Sequence, residues 1–118
     1  MMSKILSRDD ILKIDDLPIK KVEVPQWGGS VYVRGLTAEA RDALDAAYAD
    51  AKKSGVPVNI RARYAAACIV DKNGRPIFTE DDIERLATKS ADALDKIYDA
   101  IVEQSKLSPA HVEEAAKN

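Results

Sequence analysis

Between Val22 and Leu36 the chain reads Val-Glu-Val-Pro-Gln-Trp-Gly-Gly-Ser-Val-Tyr-Val-Arg-Gly-Leu. Val22 and Val24 enclose Glu23, and Val31 and Val33 alternate with Tyr32 and Arg34. Period-two alternation on both sides of a Pro/Gly break predicts two short strands joined by a turn. Gly28 and Gly29 stand where the chain must reverse, and glycine reaches positive φ without steric cost. A lone hairpin is marginal in water. This one must therefore lean on the rest of the chain, which is patterned as helices. The segment also carries the single tryptophan, Trp27, and no reactive group. It suggests a shaped surface and not bond-making chemistry.

Helical segments make up the rest of the chain. Ser7 and Asp10 resemble a capping box ahead of a short helix from Arg8 to Ile14, which Pro18 closes off. Thr37 caps a helix from about Ala38 to Lys53, with Leu44, Ala47, Tyr48 and Ala51 on one face. Lys52 and Lys53 suit its last turn, and Ser54-Gly55 stops it. Asn59 is placed to cap a third helix running to about Val70, with Ile60, Tyr64, Ala67 and Cys68 on a shared face. Asp71-Lys-Asn-Gly-Arg-Pro76 is a turn, after which Ile77 and Phe78 should plug back toward the core.

Thr79 with Glu80, Asp81 and Asp82 is the clearest helix start, and that helix should carry Ile83, Leu86 and Ala87. Ser90 either breaks it or caps the next. Leu94, Ile97, Tyr98, Ile101 and Val102 then form the most regular apolar stripe of the chain. Ser108-Pro109 opens a last short helix, polar and alanine-rich from His111 to Asn118, whose end is expected to fray. The expected architecture is a single α+β domain over residues 1–118. A short N-terminal helix and a β-hairpin pack on a body of about four helices.

Composition excludes several classes. At 118 residues the chain is long enough for one modest core. With 18 basic and 20 acidic residues it lacks the excess positive charge of a dedicated nucleic-acid binder. No apolar run approaches the ~20 residues that span a bilayer. The N-terminus turns acidic at Asp9-Asp10, where a signal peptide needs an apolar centre. A single Cys68 cannot form an internal disulfide and fits a reducing cytoplasm.

Reactive constellations are scarce. The one histidine, His111, stands beside Glu114 without further ligands at metal-binding spacing and reads as a solvated surface residue. Cys68 lies in Ala-Ala-Ala-Cys-Ile-Val, an apolar run that raises a thiol pKa and marks a packed structural cysteine. Asp9-Asp10 and Glu80-Asp81-Asp82 sit in first helical turns, where the dipole favours negative charge; Asp15-Asp16 is a further carboxylate pair. Gly28-Gly29 lacks the third glycine and the Lys-Ser/Thr of a phosphate loop. Arg61 and Arg63 read as part of a solvated face. No cofactor and no metal are expected.

Two features carry two readings each. Trp27 either covers the end of the small core or contributes an aromatic to a partner surface. The stripe from Leu94 to Val102 is either core or contact face. Trp27, Tyr32, Leu94, Ile97, Tyr98 and Ile101 are accordingly the candidate partner-binding residues.

The string Val-x-Val-Pro-x-Trp-Gly-Gly-x-Val-x-Val-Arg-x-Leu-Thr, from Val22 to Thr37, resembles the start of tail assembly chaperones of long-tailed, non-contractile bacteriophages. Leu6-Ser-Arg-Asp-Asp-Ile-Leu12 is similar to their opening. So is Asp71-x-Asn-Gly-x-Pro-x-Phe-Thr-Glu-Asp-Asp-Ile83 to a later segment, and Leu107-Ser-Pro-Ala-x-Val-Glu-Glu-Ala115 to their ending. The resemblance covers almost the whole chain and carries no catalytic residues.

It implies a non-enzymatic assembly factor of a phage or prophage, acting in the host cytoplasm and absent from the virion. The implied partners are the tape measure protein, which such a chaperone keeps soluble, and the tail tube protein, recruited by a frameshifted longer form. Self-association is compatible with this role. Ala116-Lys117-Asn118 can be encoded as GCA-AAA-AAC, which contains the slippery heptamer A-AAA-AAC, although other codons spell the same tripeptide. The alternatives are a structural protein retained in the particle, such as a head–tail connector component, and a small helical regulator of a host protein.

Overall fold

The structure is a computed structural model and describes residues 3–104. Its first element is helix α1, Arg8–Lys13, whose capping box is complete. The Ser7 hydroxyl accepts from the Asp10 amide at 3.2 Å, and the Asp10 carboxylate accepts from the Ser7 amide at 3.0 Å. Strands β1, Lys20–Val24, and β2, Gly29–Val33, pair antiparallel with Val22 opposite Val31 and Val24 opposite Gly29. A 3-10 turn over Pro25–Trp27 joins them and ends at Gly28, left-handed at φ 71°. Only Gly28 uses the positive-φ freedom of glycine there; Gly29 is the first residue of β2.

Helix α2, Ala38–Ser54, starts at Thr37, whose hydroxyl accepts from the Ala40 amide at 3.0 Å. It stops at left-handed Gly55. Helix α3, Ile60–Cys68, ends earlier than its periodicity predicts. Ile69 and Val70 form a third strand, β3, with Val33 opposite Ile69 and Tyr32 opposite Val70. The sheet order is β1-β2-β3. Asn59 precedes α3 but makes no side-chain cap. It adopts the left-handed region at φ 52°, which asparagine tolerates better than most residues.

The loop after β3 is organised by Asp71. Its Oδ1 accepts from the amides of Asn73 at 2.8 Å and Arg75 at 3.1 Å. The expected helix at Thr79 is shorter than its signals suggest: a 3-10 turn over Glu80–Asp82, then helix α4, Ile83–Leu86. Phe78 packs against the core, whereas Ile77 points outward and Ala87 is exposed. Ser90 caps helix α5, Ala91–Gln104, its hydroxyl accepting from the Ala93 amide at 3.3 Å. The expected helix from Ser108, and His111 with it, lie outside the described residues.

The core forms where α5 crosses α3 and the inner face of the hairpin. Val22, Val24 and Val33 come from the sheet, Ala62, Ala65 and Cys68 from α3, and Ile83 and Leu86 from α4. Leu94, Ile97 and Ile101 fill the centre from α5. Alanines at the α3–α5 crossing (Ala62, Ala65, Ala93 and Ala100) let the two backbones approach closely. Arg61 pairs with Asp95 at its edge. Helix α1 buries none of its side chains, and α2, which packs on α3, fully buries only Leu44.

Candidate partner-binding surface

The polar groups that invite a chemical reading are engaged in holding the backbone. Asp10 and Asp82 each accept from the amide that opens their own helical turn, the latter from Thr79 at 2.8 Å. The carboxyl of Asp10 is held below its ordinary pKa by the Ser7 amide, and that of Asp71 by the amides of Arg75 and Asn73. Cys68 is fully buried, and burial pushes its thiol up to about 12, against the opposing effect of Arg34. A thiol so protonated is a poor nucleophile and a poor metal ligand. Among the described residues no group of three or more His, Cys, Asp or Glu could hold a metal ion. No helix among them is long and apolar enough to cross a membrane.

The candidate contact residues divide into two sets. Leu94, Ile97 and Ile101 are at most 4% exposed and sit among the core side chains of α3 and the hairpin. They are no surface in this fold, which corrects the contact-face reading of the α5 stripe. Tyr98, on the same helix, is half-buried and tilts against Tyr64 of α3, ring centroids 4.9 Å apart. Burial and that neighbour raise the Tyr64 hydroxyl pKa. Tyr32 is exposed on the outer face of the sheet, opposite Lys21. Trp27 takes both of its readings at once: it packs against the core from the hairpin turn yet keeps part of its ring in solvent.

A half-buried tryptophan on the end of a small core stabilises through the area it covers. Trp27→Ala is expected to lower stability by about 3 kcal/mol, the low end for a large aromatic truncation. Urea unfolding followed by circular dichroism measures it. A variant as stable as the parent would assign Trp27 wholly to the surface.

Two apolar surfaces escape periodicity analysis. The N-terminal arm exposes Ile5, Leu6, Ile11, Leu12, Ile14 and Ile19. Its short helix reads as an ordinary amphipathic element, and nothing local says that its apolar side lacks a neighbour. The second surface is an open groove of about 790 Å³ along α2. Ala43, Ala47 and Ala51 line it together with Val56, Pro57 and the Arg63–Glu80 pair, 3.7 Å apart. Of the predicted α2 face, Leu44 is buried and Ala47 and Ala51 are partly buried, whereas Tyr48 is exposed. A stretch of seventeen helical residues with one buried side chain is the signal that this helix has a free side.

No known protein-family profile matches the chain, and no curated protein matches it by sequence. Its fold does match a solved structure. The tail assembly chaperone of bacteriophage HK97 superposes with a TM-score of 0.63 at 16% sequence identity, over 81% of this chain and 88% of that one. At this identity the likeness is one of fold: a bacteriophage tail assembly chaperone-like fold.

Proposed function

We propose that this chain is a non-enzymatic tail assembly chaperone of a long-tailed, non-contractile bacteriophage or prophage. It binds the tape measure protein, keeps that long apolar-rich chain soluble, and promotes assembly of the tail tube around it. The observation that carries the reading is the shared fold, which spans most of both chains. The sequence strings from Leu6 to Leu12, Val22 to Thr37 and Asp71 to Ile83 support it independently of that comparison.

The surface chemistry suits such a task. An alanine-floored groove beside α2 accepts the apolar side of a helix laid along it, the helix-in-groove mode of recognition. Small residues let a partner backbone come close without demanding one side-chain shape. Trp27, Tyr32 and Tyr98 add aromatic contact at low entropic cost. Many such chains along one long partner gain avidity from multivalency, so a single copy need not hold tightly. In this reading the protein works in the host cytoplasm, leaves before the virion is complete, and meets the tail tube protein through a frameshifted longer form.

Co-expression with the cognate tape measure protein is the test. The tape measure protein should move from the pellet to the soluble fraction and be retained in a pull-down on this chain. Mass spectrometry of purified tails should find none of it. Its presence as a stoichiometric tail component would overturn the chaperone reading in favour of a structural one.

A further inference from the structure

The two edges of the sheet differ. At one edge β3 has two residues, and Val70 is bridged on its far side by Pro76. The other edge is β1, whose only strand partner among the described residues is β2.

Hydrogen-bond phase identifies which groups of β1 are free. The Arg34 amide, just past β2, donates to the Cys68 carbonyl at 3.0 Å, toward β3. Amides alternate in direction along a strand, so those of Val31 and Val33 turn the other way, toward Val22 and Lys20 of β1. Lys21 and Glu23 therefore turn their own amides and carbonyls outward. Among the described residues no backbone hydrogen bond reaches them. Their side chains are exposed, while Val22 and Val24 point into the core.

An unpaired edge invites pairing, and proteins restrict it with charge. The charged residues of β1 are Lys20, Lys21 and Glu23. Lys20 lies on the same side as Val22 and pairs with Glu103 at 3.4 Å. The outer face is left with Lys21 and Glu23, of opposite sign, on either side of Val22. Their neighbours on β2, Tyr32 and Ser30, are uncharged, and Arg34 stands past the end of the β1–β2 ladder. An antiparallel strand of the same sequence, centred on Val22, sets Lys21 opposite Glu23 of a second copy and Glu23 opposite its Lys21. These are the residues with outward backbone groups, so each pair exchanges both backbone bonds. A slip of two residues keeps those groups facing but sets lysine against lysine or glutamate against glutamate, which destabilises.

We propose that β1 pairs edge to edge with β1 of a second copy about a two-fold axis at Val22, joining their sheets into one. Val22, the most exposed member of the core at 9%, meets its own counterpart on the inner face. The contact is isologous and closes on itself, and the short, bridged β3 edges offer no further growth. Two five-residue strands bury less than the ~1,000 Å² of a stable interface, so the dimer is weak and forms as concentration rises.

Charge exchange in the full chain tests this. Sedimentation velocity from low to high micromolar should show monomer passing to dimer and no larger species. Glu23→Lys places lysines opposite each other in both pairs, and Lys21→Glu does the same with glutamates. Each should weaken association by about tenfold. Mixed in equal amounts, the two variants are complementary in both pairs and the dimer should return. A parent that stays monomeric, single variants that dimerise like the parent, or a mixture that stays monomeric overturns the proposal. Hydrogen exchange locates the contact. The Lys21 and Glu23 amides should exchange about tenfold more slowly at high concentration than at low, with those of Val22 and Val24, already in the ladder, unchanged. Association that leaves the Lys21 and Glu23 amides unprotected places the contact elsewhere, and protection independent of concentration means that the chain covers its own edge. Either result overturns the proposal.

Discussion

Ile97→Ala is expected to lower the unfolding free energy by about 4 kcal/mol, toward the upper end of the ~2–5 kcal/mol range for truncating a buried aliphatic side chain to alanine. The reason is the position of the residue. Ile97 is fully buried on α5, with α3 on one side and the inner face of the hairpin on the other. Neighbours held in separate elements cannot all move inward, so the cavity persists and its lining loses dispersion contacts. Against a total of about 5–15 kcal/mol for a small domain, that is a large share. Urea unfolding of Ile97→Ala, with exposed Lys96→Ala as the control, gives the number. The control should shift by no more than ~0.5 kcal/mol. A loss below ~1 kcal/mol at Ile97 would mean that the stripe is not core.

The second large effect is alkaline. Burial raises the Cys68 thiol from an ordinary 9.0 to about 12. The folded state therefore keeps a proton that the unfolded chain gives up in this window. Below pH 9.0 both states are protonated and the contribution of the thiol is fully present. As pH rises from there toward about 12, the contribution is lost at about 1.4 kcal/mol per pH unit. Tyr64, also raised, acts in the same direction, so the parent's own pH profile does not isolate the thiol. The difference between parent and Cys68→Ala does. Cys68→Ala is expected to be less stable than the parent at pH 7, because Cys68 is fully buried, and the gap should close by ~2–3 kcal/mol at pH 11. A gap that stays constant would place Cys68 in contact with water. The same protection predicts that native protein resists alkylation at pH 8, while protein in urea reacts at once.

Caps and turns were legible because their physics is local. The reciprocal bonds of Ser7 and Asp10, the Thr37 cap, the stop at Gly55 and the Asp71 loop each close within four residues of chain. The period-two pattern of Val22, Val24, Val31 and Val33 likewise sets both strands and, because side chains alternate across a sheet, their inner face. The apolar nature of the α5 stripe follows from periodicity alone. A contact surface could not be read in this way, since a stripe buried by its own chain and one awaiting a partner have the same spelling.

Burial is decided by neighbours distant in sequence, and there the tertiary structure had the last word. Ile69 and Val70 continue the helical pattern of α3 but leave it, because β2 offers them backbone partners at Val33 and Tyr32. Asn59 is a good cap by type, yet the entry of the chain into α3 turns it to the left-handed region. Ile97 and Ile101 meet α3 and the hairpin and become core, while Ile11 and Leu12, equally apolar, stay more than half exposed. The sequence by itself determined the locally closed caps, the hairpin strands and which side of a helix or strand is apolar, since those properties depend on φ, ψ and hydrogen bonds within a few residues; it did not determine the early end of α3 or the strand Ile69–Val70. Which apolar sides are buried against one another and which remain free for a partner depends on contacts across the whole chain, and only the folded arrangement decided it.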